Sequence, residues 1–140
     1  MNRKKNARTF DIALVVVIIA AILIYGAMLD SSTITMELAD NGIGVAGPDK
    51  TTAILLYEDI VSVDYYEEFE VGVVIEETEN EDVRNGTYEN ALLGEYQLLA
   101  YRDCADMIVV TTEETTFAFN GSDAAETAEY YEEILEAMGQ

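Results

Sequence analysis

The stretch Met107-Ile108-Val109-Val110-Thr111-Thr112-Glu113-Glu114-Thr115-Thr116-Phe117-Ala118-Phe119 decides the fold class. Two runs of β-branched and aromatic residues, 107–111 and 115–119, flank a short polar turn, the pattern of a β-hairpin. Asn120-Gly121-Ser122-Asp123 then breaks the strand, and the apolar period changes from two residues to that of a helix. Ser122 or Asp123 can cap a helix over about 123–138, and Asp123 with Glu126 has capping-box spacing. Ala124, Ala128, Tyr131, Leu135 and Met138 form one apolar stripe with Ile134 beside it, opposite Glu129, Glu132, Glu133 and Glu136. Ala128, Tyr131, Leu135 and Met138 are therefore expected to pack the helix over an open end or face of a sheet, with Tyr130 off the stripe.

Upstream the period is mostly two. Ile34, Met36 and Leu38 alternate, Asp40-Asn41-Gly42 signals a tight hairpin, and Ile43 and Val45 resume the alternation. Gly47-Pro48-Asp49 marks a second turn. Residues 52–57, 60–66, 69–75 and 95–101 read as strands, 76–85 as an acidic loop, and Tyr88 as part of a short segment after Gly86. Arg102-Asp103-Cys104-Ala105-Asp106 reads as a turn that exposes the lone cysteine. Strands over about 33–119 followed by one helix make an α+β or capped β-barrel layout.

Composition narrows the chemistry. The chain has 140 residues, a formal net charge of -21, no histidine and no tryptophan. Without histidine there is no Ser-His-Asp or Cys-His catalysis and no histidine metal site. One cysteine, Cys104, excludes an internal disulfide. Adjacent acids such as Glu67 with Glu68, or Asp103 near Asp106, arise by chance in so acidic a chain and assemble no glycosidase pair. No enzyme activity, catalytic residue or cofactor is expected. Nucleic acid is not an expected partner, since binding it takes clustered Lys and Arg.

Residues 12–29 carry no charge and are overwhelmingly apolar. At ~1.5 Å per residue they reach about 27 Å, close to the roughly 30 Å hydrocarbon core, so a single transmembrane helix is expected there. A cleaved signal peptide would be shorter in its apolar part and end in a small-residue site, which Tyr25-Gly26-Ala27-Met28-Leu29-Asp30 lacks; a buried core helix would show a polar face. Arg3, Lys4, Lys5 and Arg8 precede the run, and the next basic residue is Lys50. The positive-inside rule then puts segment 1–11 in the cytoplasm and the domain 30–140 outside, at the plasma membrane. That domain holds 27 acids against Lys50, Arg84 and Arg102. Such acidity can also be a habit of a whole proteome.

Three stretches carry a resemblance. Leu56-Tyr57-Glu58-Asp59-Ile60-Val61-Ser62-Val63 is similar to an I-x-Y-x-D-I-x-x-V run. Asn85-Gly86-Thr87-Tyr88 with Gly94-Glu95-Tyr96-Gln97-Leu98 resembles a paired glycine–aromatic segment. Ile108-Val109-Val110-Thr111-Thr112 through Phe117-Ala118-Phe119-Asn120, then Glu126-Thr127, resembles a closing hairpin and helix. In this order they resemble a bacterial pleckstrin-homology-like (bPH) domain. The resemblance implies an α+β fold: a mainly antiparallel, partly closed barrel of about seven strands capped by the C-terminal helix, here after an N-terminal transmembrane helix. It also implies no catalysis. Relatives that bind phosphoinositides do so through basic loops. Here the corresponding turn offers Lys50 alone and residues 67–82 are acidic, so binding of an anionic phosphoinositide is disfavoured.

The expected function is a membrane-anchored protein-interaction or scaffolding module, held by the lipid bilayer and presenting a sheet edge or helix groove to a protein partner. The alternative is an extracytoplasmic sensory domain for a cation or small molecule. Its support is the acidic run Glu76, Glu77, Glu79, Glu81 and Asp82, which lacks EF-hand spacing and otherwise reads as a solvated loop.

Overall fold

Nine strands and one helix follow one another in residues 32–139, the part of the chain that the computed structural model describes. The strands are β1 (Thr35–Ala39), β2 (Gly42–Ala46), β3 (Thr52–Leu56), β4 (Ile60–Tyr66), β5 (Val73–Glu77), β6 (Val83–Asn90), β7 (Gly94–Tyr101), β8 (Met107–Thr112) and β9 (Thr116–Phe119), and helix α1 spans Ala124–Ala137. Segment 1–11, with Arg3, Lys4, Lys5 and Arg8, and the expected helix over 12–29 lie outside the described residues. Among the described residues no helix is long and apolar enough to cross a membrane.

Local sequence explains the joints. Asp40 and Asn41 form the two-residue link that sets Ala39 opposite Gly42. In the turn after β2, Asp49 and Lys50 take positive φ values of 59° and 61°, and Gly47 N–H donates to Thr51 O at 2.9 Å. Asp123 caps α1: its side chain accepts from Glu126 N–H at 2.8 Å, and Glu126 Oε1 accepts in return from Ser122 N–H at 3.0 Å. This is the reciprocal satisfaction of free amides that a capping box provides.

The strands form two sheets, one of order β1-β2-β3 and one of order β4-β8-β9-β7-β6-β5. The expected fold class is corrected here. Instead of a partly closed barrel of seven strands there are two separate sheets, one of three strands and one of six, with a single C-terminal helix. The ladders are antiparallel except one, since β9 inserts between β7 and β8 and runs parallel to β7. That insertion makes β9 central. Phe117, Ala118 and Phe119 are all buried, as a strand covered on both faces requires.

One face of the six-stranded sheet packs against the three-stranded sheet. Ile34, Met36, Ile43, Val45 and Leu55 meet Val83, Leu99, Ile108, Val110, Phe117 and Phe119 there, and Ile134 of α1 joins them. Tyr130, Tyr131 and Met138 pack at the margin of that core, while Leu135 is half-buried. The helix therefore buries Thr127 and Ile134, and its apolar side is turned by about one residue from the expected stripe. Ala128, expected in the packing, is exposed, and Tyr130, expected off it, is engaged. A buried threonine carries the difference. Thr127 Oγ1 accepts from Gly121 N–H at 2.9 Å and donates to Asp123 O at 2.7 Å, so a polar residue sits comfortably on the inner side.

The other face buries Tyr88, Tyr96, Leu98, Ala100, Met107, Val109 and Ala118. Tyr66, Phe69, Val71 and Leu93 pack over it. Phe69 and Val71 belong to the connection 67–72, which must run between β4 and β5, the two opposite edges of the sheet. This strap crosses the face of the sheet. It is pinned as it goes. Phe69 N–H donates to Ala105 O at 2.8 Å, Asn90 Nδ2 to Glu70 O at 2.8 Å and Tyr96 OH to Val71 O at 2.7 Å. The expected strand 69–75 is thus corrected: Phe69 and Val71 lie in the strap, and the strand begins at Val73.

Cys104 is also corrected. It lies in the turn between β7 and β8 but is only 8% exposed, with Sγ 3.6 Å from Thr127 Oγ1. Asn120, fully buried, draws that turn inward. Its Oδ1 accepts from Tyr101 N–H at 2.8 Å, and its Nδ2 donates to Cys104 O at 3.0 Å and to Asp106 O at 3.2 Å.

Candidate functional site

The strap delivers the chain to β5, and β5 differs from every other strand. All five of its residues are exposed. Val73 is 65%, Val74 50% and Ile75 51% exposed, and Leu92 in the neighbouring β6–β7 turn is 60% exposed. β5 pairs with β6 alone, Val73 opposite Glu89 and Glu77 opposite Gly86, with a bulge at Ile75. Its outer backbone edge therefore has no strand partner among the described residues.

Two glycines place it there. Gly72 has φ 81°, and a Cβ on it would lie 2.1 Å from Glu89 O. A Cβ on Gly86 would lie 2.0 Å from Glu76 O and 2.6 Å from Glu77 Cα. No side chain fits either gap, so glycine lets β5 close tightly over the end of the sheet.

The flanks of the edge are acidic and ordered. Past the start of β5, between the strap and the β6–β7 turn, Tyr66, Phe69, Glu67, Glu68, Glu70 and Leu92 line an open cleft of about 260 Å³. The Phe69 ring stands edge-on to Tyr96 at 5.9 Å and tilted to Tyr66 at 5.8 Å. At the other end are Glu76 and Glu77, followed by Glu79, Glu81 and Asp82 in the turn to β6. The expected loop 76–85 is thereby shortened to 78–82, and hydrogen bonds hold it. Asn80 Oδ1 accepts from Asp82 N–H at 2.9 Å and Val83 N–H at 3.0 Å, and Arg102 Nε donates to Asn80 O at 3.0 Å. Glu77 accepts from Tyr88 OH and lies 3.9 Å from Arg102 Nη2. Burial, then this contact, raises the Tyr88 pKa, with Arg84 opposing.

The five acids expected as a weak cation loop, Glu76, Glu77, Glu79, Glu81 and Asp82, are thus split between a strand and a turn. Among the described residues no group of three or more acidic or thiol side chains is placed to hold a metal ion. Asp106, named in the sequence as half of a chance carboxylate pair, accepts from Tyr65 OH.

A second cleft, of about 250 Å³, lies between β3 and the six-stranded sheet. Thr51, Thr52, Asn85, Gln97, Leu99 and Phe117 line it, and none of its lining residues is charged. Asn85 Nδ2 donates to Thr51 Oγ1 at 2.6 Å across the two sheets.

The β5 edge was not singled out from the sequence, although its signal is there. Val73-Val74-Ile75-Glu76-Glu77 does not alternate, so it cannot bury one face as its neighbours do. Compared with protein-family models, curated proteins and solved structures, the chain matches none of them.

Proposed function

We propose that this domain is a protein-interaction module that takes an extended segment of a partner onto the free edge of β5. The observation that carries the reading is the exposure of Val73, Val74 and Ile75 on a strand with one unpaired side. Exposed apolar edges invite a further strand, and proteins that do not use them cover or blunt them. Main-chain hydrogen bonds would supply affinity, and contacts to alternate side chains would supply choice.

The test is site-specific photocrosslinking of the intact chain in its native cells. A photoreactive residue at Val74 should give a discrete adduct that maps to one short stretch of the partner. The same residue at Val61, 66% exposed on the opposite edge, should not. Equal adducts from both positions, or none from either, would sink the reading.

The location belongs to the same proposal: the outer side of the plasma membrane, with the N-terminus in the cytoplasm. Its support is the charge asymmetry around residues 12–29. Buried Cys104 leaves a low background, so Glu113→Cys, at an exposed hairpin, should take an impermeant maleimide in intact cells. Labelling only after detergent would reverse the assignment.

A second reading rests on the uncharged cleft between the sheets, which suits a small neutral ligand with hydrogen-bonding groups. Fragment binding that shifts the Asn85 and Gln97 side-chain amide signals would support it, and a silent screen would remove it.

A further inference from the structure

We infer that the segment received at β5 is cationic: an extended stretch with apolar residues on one side and Lys or Arg near its ends, and not a second copy of this domain. The inference rests on the edge reading and adds the chemistry of the occupant. β5 is five residues long, about 17 Å of strand, so a partner of similar length runs from Val73 to the turn beyond Glu77, with the cleft past its first end, where Asn90 meets Glu70 and Gly72. Its apolar side would lie along either the face of Val73 or that of Val74, since successive side chains of a strand point to opposite faces. Every titratable side chain lining the cleft, apart from Tyr66, is an acid: Glu67, Glu68 and Glu70. A Lys or Arg entering there lays its apolar stem on Tyr66 and Phe69 and brings its charge to those carboxylates. Glu76, Glu79 and Glu81 offer the same to a base at the far end.

A second copy fails on the same charges. Two β5 edges paired antiparallel about a two-fold axis bring Glu76 and Glu77 of one chain towards the end where Glu70 and Glu89, the residue opposite Val73, lie in the other. Like charges placed together reject the wrong partner, and Arg84 and Arg102 are already engaged at Tyr88 and Glu77.

Two short blocked peptides test this against the intact chain. Both alternate valine and threonine; one ends in lysines, its twin in glutamates. Amide chemical shifts and hydrogen exchange report the site. The lysine peptide should protect amides of Val73 to Glu77 and bind about tenfold tighter than its twin, with affinity falling as salt rises. Glu67→Lys with Glu70→Lys should reverse the preference. If both peptides protect β5 equally, the edge reading stands and the cationic assignment falls. If neither does while the crosslink at position 74 forms, the occupant is of another chemistry and the assignment falls alone. If the chain instead dimerises, and Val74→Lys abolishes the dimer, the occupant is a second copy and the inference is overturned.

Discussion

The six-stranded sheet ends in two edges that the fold treats in opposite ways. β4 forms one side, and its outer backbone edge, like that of β5, has no strand partner among the described residues. It exposes Val61 and Asp64 and half-buries its other five residues, carries a bulge at Val61, and its Tyr65 packs on the helix with the Tyr131 ring 5.5 Å away. Tyr65 OH donates to the Asp106 carboxylate, and burial, then this bond, raises its pKa. β5 ends the other side with five exposed residues and, among the described residues, no helix beside it. The same sheet thus has one edge strand tied to the helix by a tyrosine and one without such a tie. An edge strand is held in place when side-chain contacts from a third element fix it, and it is available when glycine and a strap merely deliver it.

The largest effect should come from loosening the helix on which Tyr65 packs. Ile134 is fully buried between helix and sheets, and Ile134→Ala should cost about 2–5 kcal/mol. Urea unfolding reads the loss, and hydrogen exchange should rise in β8 and β4 more than in β5. Equal loosening of both edges would break the distinction.

Alkaline pH should act next, and on the open side. Burial first, and the neighbouring Tyr88, push Tyr96 up to about 12 from its ordinary 10.0, and its hydroxyl holds the strap at Val71. The folded chain keeps this proton after the unfolded chain has lost it. The contribution is therefore complete below about pH 10 and lost as pH rises towards 12. Thermal unfolding followed between pH 8 and about 12 should show this contribution to Tm unchanged to about pH 10 and falling above it. Tyr96→Phe, which has no proton to lose, should lessen that fall, the remainder coming from the other tyrosines whose pKa is raised, Tyr65 and Tyr130 among them.

Tyr65→Phe is smaller. It removes one hydroxyl and leaves Asp106 half-exposed to water, so about 1 kcal/mol is expected from chemical denaturation. The smallest change in stability sharpens the comparison most. Val74→Lys at the open edge should stay within about 0.5 kcal/mol of the parent while abolishing uptake of the lysine peptide. A loss of stability as large as that at Ile134 would show that Val74 is part of the core and not of a surface.

How much of this was legible from the sequence varies along the chain for physical reasons. β4 was legible to its ends, because a short run of β-branched and aromatic residues between polar segments favours a strand. The helix start was legible through Asp123 and Glu126, whose bonds are local. The rotation of the helix was not, because it depends on Thr127 finding Gly121 and Asp123 in a buried corner. Cys104 looked exposed in a polar turn, and the buried Asn120 amide turned it inward. The β8–β9 hairpin was legible, but the parallel ladder of β9 to β7 joins residues twenty positions apart and leaves no periodic trace.

The sequence by itself determined the identities that local forces read: where strands alternate, where glycine and asparagine turn them, where acids cap a helix, and that the domain is strongly acidic. The tertiary structure alone decided that nine strands divide into two sheets, that residues 67–72 become a strap, and that Val73-Val74-Ile75 end on an open edge. Periodicity records which side of a strand is apolar, within a few residues. Which strand lies beside which, and which has no neighbour, is settled by burying the faces of all the strands at once.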